Sequence, residues 1–234
     1  MHKVATIAMT VGVLLLTGTV WGSEKQDERL KAAQQVFQEI MNTPDRGIPQ
    51  DLLARAACVA VIPSVKKFAI GLGGQHGSGY VLCRKNGGKG AWGPPSGFSM
   101  SGGSVGLQLG FSATDFVLLF MNTDGIEKLL QDKFTLGADA SVAAGPVGRS
   151  ATAATDAQMT AKVLGYSRNK GLFAGLALNG AVLRPSGDDN QELYGRKIAP
   201  KEILLTGNVA PPAGARGLIQ LLTKYSSSQN KKPL

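Results

Sequence analysis

The chain has 234 residues, with 25 lysines and arginines against 16 aspartates and glutamates, a net charge of +9, and 43% apolar residues. That length and apolar content suit one packed domain or two small ones, and no linker divides them. Two cysteines and two histidines give no recognisable zinc-ligand spacing. The 31 glycines are about twice the ordinary ~7% share, yet they lack the three-residue period of collagen and lie between hydrophobic runs, which points to order.

Met1, His2 and Lys3 lead into an apolar run over residues 4–20, and Val20, Trp21 and Gly22 precede the polar start Ser23, Glu24, Lys25. This is the layout of a secretory signal peptide cut after Gly22, so the chain reads as a leader over residues 1–22, a single domain over 23–225 and a polar, flexible tail over 226–234. The alternative is an uncleaved anchor, although the run sits at the short edge of the ~17–25 residues that span a bilayer. The protein is thus expected to be exported, periplasmic and able to associate with a membrane. Only Lys3 among the charged residues leaves with the leader, so the basic surplus persists and allows attraction to anionic lipid.

Residues 24–42 place Leu30, Ala33, Phe37, Ile40 and Met41 at helical spacing, predicting an amphipathic helix that ends at Pro44. A second helix is predicted after Pro49, through residues 51–57. The period then changes to that of strands at 59–62, 68–73, 79–84, 90–92 and 97–109, with Asn86, Gly87 and Gly88 as a hairpin-turn signal. Residues 115–121 suit either a helix or a buried strand, and 123–132 look helical in part. Further strands are expected at 138–144, 171–183 and 192–194, then helices at 200–204 and 214–225. The sum is α+β: a glycine-rich curved antiparallel sheet or small β-barrel with N-terminal and peripheral helices.

Cys58 and Cys83 open and close two of these strand runs. In an exported protein they form either a disulfide or a pair of buried thiols.

The chemistry of catalysis is poorly represented. Gly102, Ser104 and Gly106 fit the Gly-x-Ser-x-Gly pattern, but the histidine His76 precedes Ser104, whereas that fold class needs serine, acid and histidine in that order. A small-residue strand is the better reading of Ser104. His76, flanked by Gly73, Gly74 and Gly77, reads as a residue on a turn. The run 71–79 fails the Gly-x-Gly-x-x-Gly phosphate pattern because His76 replaces the third glycine. Asp188 and Asp189 read as a solvated turn, and Trp92 as a packing residue. No catalytic residue, metal site or cofactor is assigned, and sparse aromatics, at 6%, argue against nucleic acid.

Basic residues on predicted turns remain: Lys66 and Lys67, Arg84 and Lys85, Lys89, and Arg168 with Lys170. Two glycine-punctuated passages, 134–149 and 166–180, together with 59–62, 71–84 and 92–110, resemble the SYLF domain family over roughly residues 30–205. That resemblance implies a non-enzymatic domain that binds phosphoinositide-rich membranes and, in some eukaryotic members, actin. Carried onto this chain, it implies contact with anionic phospholipid or a membrane surface through those seven basic residues and the amphipathic helix. No actin partner is expected if the source is bacterial. The alternative is a structural or protein-interaction module of the periplasm, with an envelope protein as its partner.

Overall fold

Alternation of side chains builds the centre of the molecule. Along β1 (Cys58–Ile70), Cys58, Ala60 and Ile62 enter one apolar cluster while Val59 and Val61 enter another, because successive strand residues point to opposite faces. The computed structural model describes residues 21–44, 47–70, 72–105, 110–122, 124–130, 133–147, 158, 160–168, 178–206 and 208–227. β2 spans Leu72–Cys83, β3 Ser96–Val105 and β4 Gly110–Phe120. In β4, Phe116, Leu118 and Phe120 face one cluster and Val117 and Leu119 the other. The ambiguous segment after Asp115 is therefore a buried strand.

Four short strands complete the sheet: β5 (Phe134–Thr135), β6 (Val142–Ala144), β7 (Val163–Ser167) and β8 (Val182–Pro185). The order is β5-β8-β3-β2-β1-β4-β7-β6, a curled half-barrel with two edges rather than a closed barrel. All neighbours are antiparallel except β6 and β7, which run parallel.

One face packs on α3 (Asp124–Leu129) and a wide turn at Glu202–Thr206, through Ile126, Leu129, Ile203 and Leu204. The other is covered by α1 (Trp21–Asn42), α2 (Gln50–Arg55) and α5 (Arg216–Ser226). Leu30, Ala33, Phe37 and Ile40 form the predicted stripe of α1 and are all buried on the sheet beside Leu53, Leu218 and Leu222. Burial of an aromatic such as Phe37 contributes about 1.5–3 kcal/mol.

The glycine-rich runs differ from expectation in a consistent way. The strands expected at 59–62, 68–73 and 79–84 are two long strands, so Lys66, Lys67 and His76 lie within the sheet and not on turns. Pairing on both sides overrides the weak strand preference of glycine: Lys66 faces His76 of β2 and Ala113 of β4. At Gly79 a Cβ would sit 2.1 Å from the Val61 carbonyl oxygen, so close strand approach requires glycine there. Residues 192–194, expected as a strand, end a helix instead, α4 (Gly187–Tyr194). The Ser186 hydroxyl accepts from the Asp189 amide and Gly195 closes the helix at a left-handed φ of 67°.

β1 contains a bulge: its register shifts between Ile62 and Val65 against β4. Ser64 occupies it with a positive φ of 49°, and its amide donates to Asp115 Oδ1 at 2.8 Å. The bulge bends the sheet between a half covered by helices and a half with no helix over it among the described residues.

Cys58 and Cys83 stand opposite each other on β1 and β2, with Cα atoms 4.0 Å apart and their sulfurs joined. The preceding pair, Ala57 and Arg84, is hydrogen-bonded, which makes the cysteines a non-hydrogen-bonded pair, where facing side chains come closest.

Candidate functional site

The seven basic residues do not form one surface. Arg84 follows β2 and its guanidinium is built into the fold: Nε donates to Ala56 O at 3.2 Å, Nη1 to Gly90 O at 3.0 Å, and the group lies 4.3 Å from the Trp92 ring centre. Burial lowers its pKa from the ordinary arginine value. Trp92 is itself buried and donates through Nε1 to Ser226 Oγ at 2.9 Å. Lys85 and Lys89 flank the turn formed by Asn86 and Gly87, whose φ values of 54° and 65° match the predicted hairpin signal. Lys67 faces Gln75 across the ladder, nine residues before Arg84 in the chain, or about 30 Å at strand rise. Lys66 and Lys67 therefore lie at the opposite end of the sheet from Arg84, Lys85 and Lys89. Being consecutive, they also point to opposite faces.

Arg168 follows β7 and clamps two elements. Its Nη1 donates to Glu39 of α1, and its Nε pairs with the buried Asp115 carboxylate at 3.1 Å. Those hydrogen bonds and charges raise its pKa, Glu39 first. Asp115 in turn holds Ser64, so the ion pair braces the bulge. Lys170 lies outside the described residues.

The amphipathic helix is likewise committed to structure. Gln26 of α1 is buried and donates from Nε2 to Asp189 at 2.8 Å and to Glu192 at 2.7 Å, while the Tyr80 hydroxyl donates to Gln26 Oε1 at 2.6 Å. Arg29 pairs with Asp189 at 2.9 Å. Burial opposes ionisation of Asp189, but hydrogen bonds from Arg29 and Gln26 outweigh it and hold the carboxyl below its ordinary pKa. Burial pushes the Tyr80 hydroxyl up. Asp189 is thus a buried anchor for α1, not a solvated turn, and the Leu30 and Phe37 face of α1 packs on the sheet.

Ser104 lies in β3 opposite Gly73, in a paired strand and not on a strand-to-helix turn. His76 is exposed on β2, opposite Lys66 and Ser101. Among the described residues, no three His, Cys, Asp or Glu side chains gather as metal ligands, and no helix is long and apolar enough to cross a membrane.

Beyond the bulge, the face that α1 covers elsewhere carries no helix among the described residues. Two cross-strand rows occupy it: Ala113, Lys66, His76 and Ser101, then Phe111, Phe68, Gly74 and Gly103. Lys66 and Lys67 have no acidic partner among the described residues. No carboxylate occurs in β1, β2 or β3, and the first in β4 is Asp115. The exposed Phe68 and Phe111 went unnoticed in the sequence, where only the adjacency of Phe68 to two lysines could have signalled them.

The profile of the Ysc84 family, described as Las17-binding protein actin regulator, matches residues 101–225. The chain belongs to the Ysc84 family. LAS seventeen-binding protein 3 of Saccharomyces cerevisiae is 35% identical over 181 residues, which cover 76% of this chain and 39% of that protein. SH3 domain-containing YSC84-like protein 1 of Rattus norvegicus is 33% identical over 209 residues, covering 87% of this chain and 60% of that protein. The Ysc84-family chain thus spans about two fifths of the yeast protein's length.

Proposed function

We propose that this Ysc84-family protein is a non-enzymatic binder of anionic phospholipid, delivered to the cell envelope by the leader over residues 1–22. One observation carries the reading: among the described residues, the bare face beyond the bulge presents Lys66, with Lys67 on the opposite face, and no carboxylate in β1, β2, β3 or in β4 before Asp115. Each lysine near an anionic surface contributes on the order of 1 kcal/mol. The Las17 and actin functions in the family description are those of other proteins in it, which are built on longer chains. The domain's commitment of Arg84 and Arg168 to internal contacts leaves lysines as the contact set, Lys66 and Lys67 at the bare end and the exposed Lys85 and Lys89 at the other.

Co-sedimentation of the purified protein with phosphatidylglycerol-containing and pure phosphatidylcholine vesicles tests this. Binding is expected to the anionic vesicles, weaker at 1 M salt, where the Debye length falls to ~3 Å. Lys66→Ala with Lys67→Ala should weaken it more than Lys85→Ala with Lys89→Ala. Absence of vesicle binding by the folded protein would move the reading to an envelope protein-interaction module.

A further inference from the structure

Three large apolar side chains are exposed among the described residues: Phe68 at 56%, Phe111 at 67% and Leu205 at 40%. Scattered single exposures are normal in soluble proteins. Two of these three, however, are direct register partners on neighbouring strands, Phe68 on β1 and Phe111 on β4. Facing strand residues stand about 4.5–5.5 Å apart at Cβ, so the two rings make one continuous apolar patch.

The rest of their row gives a second, independent sign. It continues through Gly74 of β2 and Gly103 of β3. Neither glycine has a positive φ, and neither is required by packing: a Cβ at Gly103 would meet nothing within 4 Å, and one at Gly74 only the Gly102 carbonyl oxygen at 4.0 Å. On the covered half of the same face, by contrast, a Cβ at Gly97 would sit 2.6 Å from the Asp189 Cβ. Glycine weakens a strand, and within one it often marks the close approach of another body. The row is therefore two projecting rings beside a flat shelf of backbone. On β1 and β2 that backbone is already hydrogen-bonded on both sides, so bringing it against hydrocarbon leaves no peptide group without a partner.

We infer that Phe68 and Phe111 are a wedge that inserts into the interfacial region of an anionic bilayer, with Lys66 beside them at headgroup level and Gly74 and Gly103 allowing the sheet to lie close. The occupant is a bilayer because the patch is flanked by Lys66, and the one carboxylate on its strands, Asp115, is buried and held by Arg168 and the Ser64 amide. This deepens the phospholipid reading and rests on it: charge draws the platform to the surface, and the rings supply attachment that salt does not remove.

The experiment uses the full chain with phosphatidylglycerol/phosphatidylcholine vesicles. Phe68→Ser with Phe111→Ser should weaken partitioning about tenfold to a hundredfold, the effect of removing one or two partly buried aromatic side chains, with an unchanged melting curve. Wild type should retain binding at 0.5 M NaCl that this variant loses. In Trp21→Phe with Phe111→Trp, emission should shift to the blue on adding vesicles and be quenched by brominated lipid, the remaining Trp92 being buried. If wild type binds and the double variant binds equally, with the Phe111→Trp emission unmoved, the wedge is wrong and the phospholipid reading stands. If wild type binds no vesicle, both fall. If the double variant instead abolishes a dimer in solution and leaves vesicle binding unchanged, the rings face a second copy of the chain and the wedge is overturned.

Discussion

The same four strands behave differently on either side of the Ser64 bulge. On one side, the rows facing α1 and α5 carry Val59, Val61, Tyr80, Leu82, Val117 and Leu119, all buried. On the other, the same face carries Lys66, Phe68, His76 and Phe111, all exposed. Glycine on this face follows the division: a Cβ at Gly97 would sit 2.6 Å from the Asp189 Cβ, whereas Gly103 has open space around it. Strand pairing resumes beyond the bulge on both sides of β1, so the uncovered half is held by its neighbouring strands and can present side chains that do not contribute to the core.

The comparison breaks most sharply at the helix interface. Phe37→Ala should cost about 3–5 kcal/mol, read as a lower denaturation midpoint, because it empties a fully buried site. Phe68→Ala should stay within about 0.5 kcal/mol of wild type, as exposed positions do. A large loss at Phe68 would mean that the uncovered half is part of the core.

Reducing the Cys58–Cys83 bridge should come next. It joins strands 25 residues apart in sequence, and bridges of that kind typically add about 2–4 kcal/mol. Unfolding followed with and without reductant measures this, and an unchanged midpoint would show the bridge absent from the isolated protein.

Arg168→Ala should be milder, about 1–3 kcal/mol, since among the described residues it leaves the buried Asp115 carboxylate with the Ser64 amide alone. If Arg168 met lipid instead, this variant would spare stability and weaken vesicle binding.

Those residues also show how far the sequence could be read. The stripe of α1 was legible in Leu30, Ala33, Phe37 and Ile40, and the hairpin turn in Asn86 and Gly87, because local spacing and positive φ decide both. The role of Arg168 was not, since its partners lie 129 residues away at Glu39 and 53 residues away at Asp115. The cap at Ser186 and the closing Gly195 were present around residues 192–194, but short polar helices carry no apolar stripe. Lys66 and Lys67 read as turn residues because nothing local reveals that strands pair on both sides of them.

Acid should produce the smallest effect. The Asp189 carboxyl has a lowered pKa in the folded protein, so its contribution is present above the unfolded carboxylate pKa of about 3.9 and is lost as pH falls through the folded value. Asp189→Asn should therefore flatten the stability profile below about pH 4. An unchanged slope in acid unfolding would assign that dependence to other carboxylates.

Hydrogen exchange on the full chain, with and without phosphatidylglycerol vesicles, tests the division of labour most directly. Added protection is expected at residues 66–76 and 101–113, with α1 and the turn from Lys85 to Lys89 unchanged. Protection concentrated in α1 or at that turn, with the uncovered strands unaltered, would contradict the account.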